Sequence, residues 1–207
     1  RVSNTSAVTG TTPTCLMVIV DTDSHVPQFG VDVNGQPWIG GTPTATAAAA
    51  GSALASSTTE TVLHTATSIP ANVLEAGSVL RITARGVLGT DAAGRDLQMR
   101  VRWGGVAGTV LGDSTAFTPT ASLTNRGWEV SFLIRVVSIG ATGTMECQGW
   151  FQYAISATDA SAVDMENTAV VTVDTTVIND LVLTADWGTS HANNTIICRQ
   201  WLVERLI

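Results

Sequence analysis

Between Ile69 and Trp103 the chain holds two segments in which apolar and polar side chains alternate with a period of two, a spacing that a strand can bury on one face and a helix cannot. In the second half of this stretch Leu97, Met99, Val101 and Trp103 alternate with Gln98, Arg100 and Arg102; in the first, Leu80, Ile82 and Ala84 oppose Arg81, Thr83 and Arg85. The intervening Gly-Thr-Asp-Ala-Ala-Gly supplies a turn. The stretch therefore reads as two half-buried strands joined by a short polar turn.

Further strand signals punctuated by turn residues follow the same logic at residues 61–67, 78–85, 96–103, 108–112, 127–138, 144–153, 169–174, 180–187 and 195–206. Trp128, Val130, Phe132 and Ile134 share one face of their strand, and Met145, Cys147, Phe151 and Tyr153 share one face of theirs, against Glu146, Gln148 and Gln152. Eight or nine strands without a convincing amphipathic helix predict an all-β fold, an antiparallel β-sandwich of jelly-roll type. The last strand is unusual: Cys198, Leu202 and Leu206 lie on one face, and Ile197, Trp201 and Val203 on the other. Either it is central and covered on both sides, or its outer face meets another subunit.

The sequence before residue 60 has a different character. Residues 1–43 read as an extended arm: Arg1 to Thr14 is polar, Cys15 to Val20 is a short apolar strand, and Phe29, Val31 and Val33 alternate up to an Asn34-Gly35 turn signal. Trp38 and Ile39 then return on the partner strand of a β-hairpin. Residues 44–59, rich in Ala, Thr and Ser, read as a linker, with a short Ala-rich helical turn as the competing form. Residues 60–207 are the sandwich domain.

A chain of 207 residues can bury a core without disulfides or metals. Cys15, Cys147 and Cys198 show no Cys-x-x-Cys spacing. Two buried thiols on neighbouring strands are favoured over a Cys147–Cys198 bridge. The formal charge is −7 and all ten basic residues are arginine, which disfavours nucleic acid as a partner. No run nears the roughly 20 apolar residues of a membrane span, so no membrane insertion is expected and the chain should be soluble. Beginning at Arg1, it reads as a processed product or a fragment of a longer chain.

The candidates for chemistry are weak. His25, His64 and His191 lie in separate segments, and Asp21, Asp23 and His25 lack the glycine and distal glutamate of a calcium loop. Ser114, Asp186 and His191 could be assembled into a triad only without a Gly-x-Ser-x-Gly elbow. Gly104, Gly105 and Gly108 precede no helix and suit a hairpin turn better than a phosphate loop. No catalytic residue, cofactor or metal is expected. Among the six tryptophans, Trp103 and Trp128 take inward registers, whereas Trp38 and Trp150 are the candidates for exposed or intersubunit positions.

Several segments resemble structural proteins of tailed bacteriophages. They are Ile69-Pro-Ala-Asn-Val-Leu, Gly77-Ser-Val-Leu-Arg-Ile, Leu97-Gln-Met-Arg-Val-Arg-Trp-Gly-Gly, Arg126-Gly-Trp-Glu-Val, Ile139-Gly-Ala-Thr-Gly-Thr-Met, Val173-Asp-Thr-Thr, Leu183-Thr-Ala-Asp-Trp-Gly, Asn194-Thr-Ile-Ile and Val203-Glu-Arg. The Val31-Asp-Val-Asn-Gly segment resembles short repeats that precede terminal domains of phage fibres, although a single unit is present. The resemblance implies a non-catalytic virion component, the distal part of a tail fibre or a host-recognition appendage, with recognition in loops at one end of the sandwich. A head-decoration or head-fibre protein that stabilises the capsid is the alternative, and a carbohydrate-binding or carbohydrate-active β-sandwich is the second. It further implies a homotrimer, with Phe29, Val31, Val33, Trp38, Ile39 and Trp201 as subunit contacts. The arm would join other virion proteins, and the partner would be a host surface glycan or protein.

Overall fold

The computed structural model describes residues 18–20, 27–31, 37–39, 43–46 and 50–206. Arg1–Thr42 and Pro43–Arg205 form two separate units. In the first, β1 (Val18–Val20), β2 (Pro27–Val31) and β3 (Pro37–Ile39) make an antiparallel sheet in the order β1-β2-β3. Phe29 pairs with Ile39 and Gly30 with Trp38, the backbone pairing expected of the hairpin. Val33, the Asn34-Gly35 turn and the side chains of Phe29, Val31, Trp38 and Ile39 lie outside the described residues.

The second unit is all-β among its described residues, two antiparallel sheets forming a sandwich. Its larger sheet holds β4 (Pro43–Thr46), β5 (Leu54–Ala55), β8 (Val79–Gly89), β11 (Arg126–Ser138), β12 (Gly143–Ala154), β13 (Ala160–Asp164), β14 (Asn167–Val173) and β16 (Thr195–Arg205). The smaller holds β6 (Thr61–Val62), β7 (Thr67–Ile69), β9 (Leu97–Trp103), β10 (Thr109–Asp113) and β15 (Asn179–Trp187). The pairings nest: β9 with β10, β8 with β11, β6 and β7 with β15, β4 and β5 with β16. Successive nested pairs fall in alternate sheets, which is a long hairpin wound into a jelly roll. Strands β12 to β14 extend the larger sheet between the third and second turns of that winding.

The core lies between the sheets, and the period-two residues build it. Leu97, Met99, Val101 and Trp103 are buried while Gln98, Arg100 and Arg102 face outward; Trp128, Val130, Phe132, Ile134 and Val136 do the same on β11. Each large aliphatic or aromatic side chain so buried contributes about 1.5–3 kcal/mol. β8 and β9 are not a hairpin: residues 90–96 carry the chain from one sheet to the other. The hairpin lies between β9 and β10, where Gly104 and Gly105 take positive φ of 95° and 79°.

Two expectations are corrected here. The stretch expected as a linker holds β4 and β5, both paired with β16. An edge strand is held by backbone bonds, so small Ala and Thr side chains suffice, and Leu54 alone anchors β5 in the core. The apparent two-sidedness of the last strand is a β-bulge. The register of β16 against β8 shifts between Cys198 and Gln200, so Arg199 is the extra residue and the inward phase changes from Ile196 and Cys198 to Trp201 and Val203. All four are core residues of one chain.

Beside the bulge, Gly86 pairs with both Cys198 and Trp128. A Cβ built there would sit 1.8 Å from the Ile197 carbonyl oxygen and 2.8 Å from the Trp128 ring. Gly86→Ala must therefore displace backbone or indole, and it is expected to cost about 1–3 kcal/mol in urea denaturation.

On the outer face of the smaller sheet, Glu60 receives both Arg102 Nε (2.5 Å) and Arg102 NH2 (2.7 Å), the Thr184 hydroxyl (2.5 Å) and Arg100 NH1 (3.1 Å). Arg100 also pairs with Asp186 (2.5 Å) and Asp113 (3.3 Å). The network stitches β9, β10 and β15 to the segment leading into β6. Burial pushes the Glu60 carboxyl up, but the bonds from Arg102 and Thr184 and the charges of Arg100 and Arg102 outweigh it and hold it below its ordinary value of 4.5. A carboxylate depressed on folding stabilises above its unfolded pKa and loses that contribution as pH falls through the folded one. Stability should therefore drop below about pH 4.5. Glu60→Gln is expected to lose about 1–3 kcal/mol at pH 7 and to converge on wild type under acid, measured by thermal denaturation across pH.

Candidate functional site

The period that buries Met145, Cys147, Phe151 and Tyr153 on β12 sends Glu146, Gln148, Trp150 and Gln152 to the outer face of the larger sheet. Trp150 stands there half exposed, at 50%. Ser131 of β11 and Asp164 of β13 are its direct cross-strand partners, and directly opposed side chains lie within about 5 Å at Cβ. An indole in this setting offers a flat apolar face among hydrogen-bonding groups, the combination that a sugar ring fits.

Depressions flank it along the strand. On one side an open cleft of about 510 Å³ is lined by Leu133, Gln148, Glu166, Asn167 and Val170. On the other a shallower one of about 290 Å³ is lined by Glu129, Gln152 and Ala160. From Glu146 to Ala154 the face runs roughly 27 Å at about 3.4 Å per residue. Three of its arginines hold carboxylates: Arg81 with Glu204 at 2.7 Å, Arg85 with Glu129 at 3.0 Å and Arg135 with Glu146 at 2.6 Å.

A second polar cluster sits at one end of the sandwich, where the loops after β8, before β11 and before β16 converge. There Asp91, 3% exposed, pairs through Oδ2 with Arg95 at 3.2 Å, and its backbone N–H donates to Asn194 Oδ1 at 2.9 Å. Asp91 Oδ1 is buried without a hydrogen-bond partner. The neighbouring cleft of about 420 Å³ is lined by Thr90, Ser122, Asn125 and Asn193. Asp91 carries no distinguishing signal in the sequence, since its burial depends on loops more than 30 residues apart.

The other sequence candidates sort clearly. Trp103 and Trp128 are buried, as their registers predict. Trp201, expected at a subunit contact, is 3% exposed within its own chain and donates from Nε1 to Thr67 Oγ1 at 2.8 Å, spanning the core from one sheet to the other. Cys147 and Cys198 are free, buried thiols, each pushed up to about 12 by burial. They sit on strands separated by β11 and β8, not on neighbours.

Ser114, Asp186 and His191 form no hydrogen-bonded relay: Ser114 Oγ accepts from Met99 N and donates to Thr115 O, Asp186 holds Arg100, and His191 Nδ1 accepts from Asn193 N. Asp21, Asp23 and His25, like Cys15, lie outside the described residues. Among the described residues no group of three or more His, Cys, Asp or Glu side chains is placed to hold a metal.

No protein-family model matches the chain, and no curated protein matches it. Among solved structures, the CBM2 module of the evolved Dit of Lactobacillus casei BL23 phage J-1 is similar over 69% of this chain and 69% of that one, at 12% identity and a TM-score of 0.30. A likeness of that size carries no argument about fold or role.

Proposed function

We propose that this chain is a non-catalytic virion protein of a tailed bacteriophage, part of a distal tail fibre or other host-recognition appendage, and that it binds a host surface glycan along the Trp150 face. The resemblance of its strand segments to phage structural proteins supports the virion assignment. The half-exposed indole between two open depressions carries the glycan assignment. An exposed indole presents an apolar face with a polar edge, on which a sugar ring can stack. Purified full-length chain should compete with phage for adsorption to host cells, and Trp150→Ala should need about tenfold more protein for the same inhibition at unchanged thermal stability. Equal competition by the two proteins would contradict the assignment of this face.

The proposal includes a homotrimer. The end of the sandwich opposite Asp91 supports it, because Ile139 and Ile178 are exposed there at 53% and 69%, beside Val73 and Val177. Backbone bonds from Thr175 to Gly140 and from Asn72 to Thr175 bring these turns together, so their exposed apolar side chains share one end of the sandwich. Light scattering of the intact chain should give three times the 21.5 kDa protomer mass. A monomer mass would contradict the trimer.

A further inference from the structure

Charge on the Trp150 face narrows the class of glycan, an inference that rests on the glycan reading above. The arginines of β8 and β11 on this face, Arg81, Arg85 and Arg135, each hold a carboxylate. The exposed Arg199 lies on β16, three strands from β12 in the sheet order, so among the described residues no arginine without a carboxylate partner stands on this face of the strands next to Trp150. Asp164 and Glu166 are the opposite case. Asp164 lies directly across from Trp150, Glu166 lines the larger cleft, both are exposed, and neither has an ion pair or side-chain hydrogen bond among the described residues.

We infer that the face binds an internal stretch of a polysaccharide carrying free amino groups. A sugar stacked on Trp150 places its substituents within a few ångströms of Asp164, well inside the Debye length of about 8 Å at physiological salt. An ammonium there is attracted and can donate to Asp164, with the charge of Glu166 adding to the attraction; a uronate or phosphate is repelled. The overall charge of −7 steers in the same direction. The stacking surface and the amides of Gln148, Gln152 and Asn167 serve any sugar, so they supply affinity without choosing the charge. Strand β12 runs on past Trp150 in both directions, from Gly143 to Ala154, so no chain terminus is required.

The test is calorimetric titration of the full-length chain at pH 6 and low salt with three hexamers: glucosamine, N-acetylglucosamine and galacturonate. The glucosamine hexamer should bind about five- to tenfold more tightly than the N-acetylated one, and the galacturonate hexamer most weakly. The double variant Asp164→Asn, Glu166→Gln, or added salt, should close the gap between the first two. Equal or tighter binding of the N-acetylated hexamer, lost in Trp150→Ala, would overturn the charge inference and leave the glycan face standing. Tightest binding of galacturonate would also overturn it. Binding of none of the three, or binding that Trp150→Ala leaves unchanged, would overturn both.

Discussion

Exclusion of water from between two sheet inner faces is the interaction on which the rest of the second unit depends. Every long strand presents one apolar row to that layer, and the opposite row is thereby fixed in solvent. Phe151 and Tyr153 in the core are the reason Trp150 and Gln152 face out; a register slip of one residue would exchange them. The candidate site is thus a by-product of core packing.

Close approaches refine that layer. Trp201 crosses it to reach Thr67, Trp128 occupies the space that Gly86 leaves free, and the Arg199 bulge lets β16 keep an apolar inner row over its whole length. Outside the layer the two sheets differ in chemistry. The smaller is tied by a network of Glu60, Arg100, Arg102, Asp113 and Asp186 that leaves little side-chain capacity for a ligand. The larger carries separate exposed ion pairs, worth little in stability.

Much of this was legible in the sequence, because a period of two needs no knowledge of the partner strand. The limits of β9, β11, β12 and β15 fall within a residue or two of the expected ones, and the outward register of Trp150 follows from counting along β12. The unread parts share a cause. Ala160–Asp164 has no apolar alternation, so β13 is invisible, and with it the placement of Asp164 beside Trp150. Strands β4 and β5 are held by backbone bonds that leave no mark on side-chain pattern. The bulge in β16 shifts phase in mid-strand and so mimics a strand with two apolar faces, which placed Trp201 at a subunit contact when it belongs to the core. Glu60 meets Arg102 across 42 positions of chain, a distance no local pattern spans.

The central claim is that recognition lies on the Trp150 face and not in the loops at the Asp91 end. Mapping backbone amide shifts of the full-length chain by NMR on titration with the glucosamine hexamer tests it most directly. The account predicts perturbations along residues 129–133, 148–152 and 160–166. Perturbations confined to residues 90–95, 122–125 and 191–195 would place recognition in the loop cleft and contradict it.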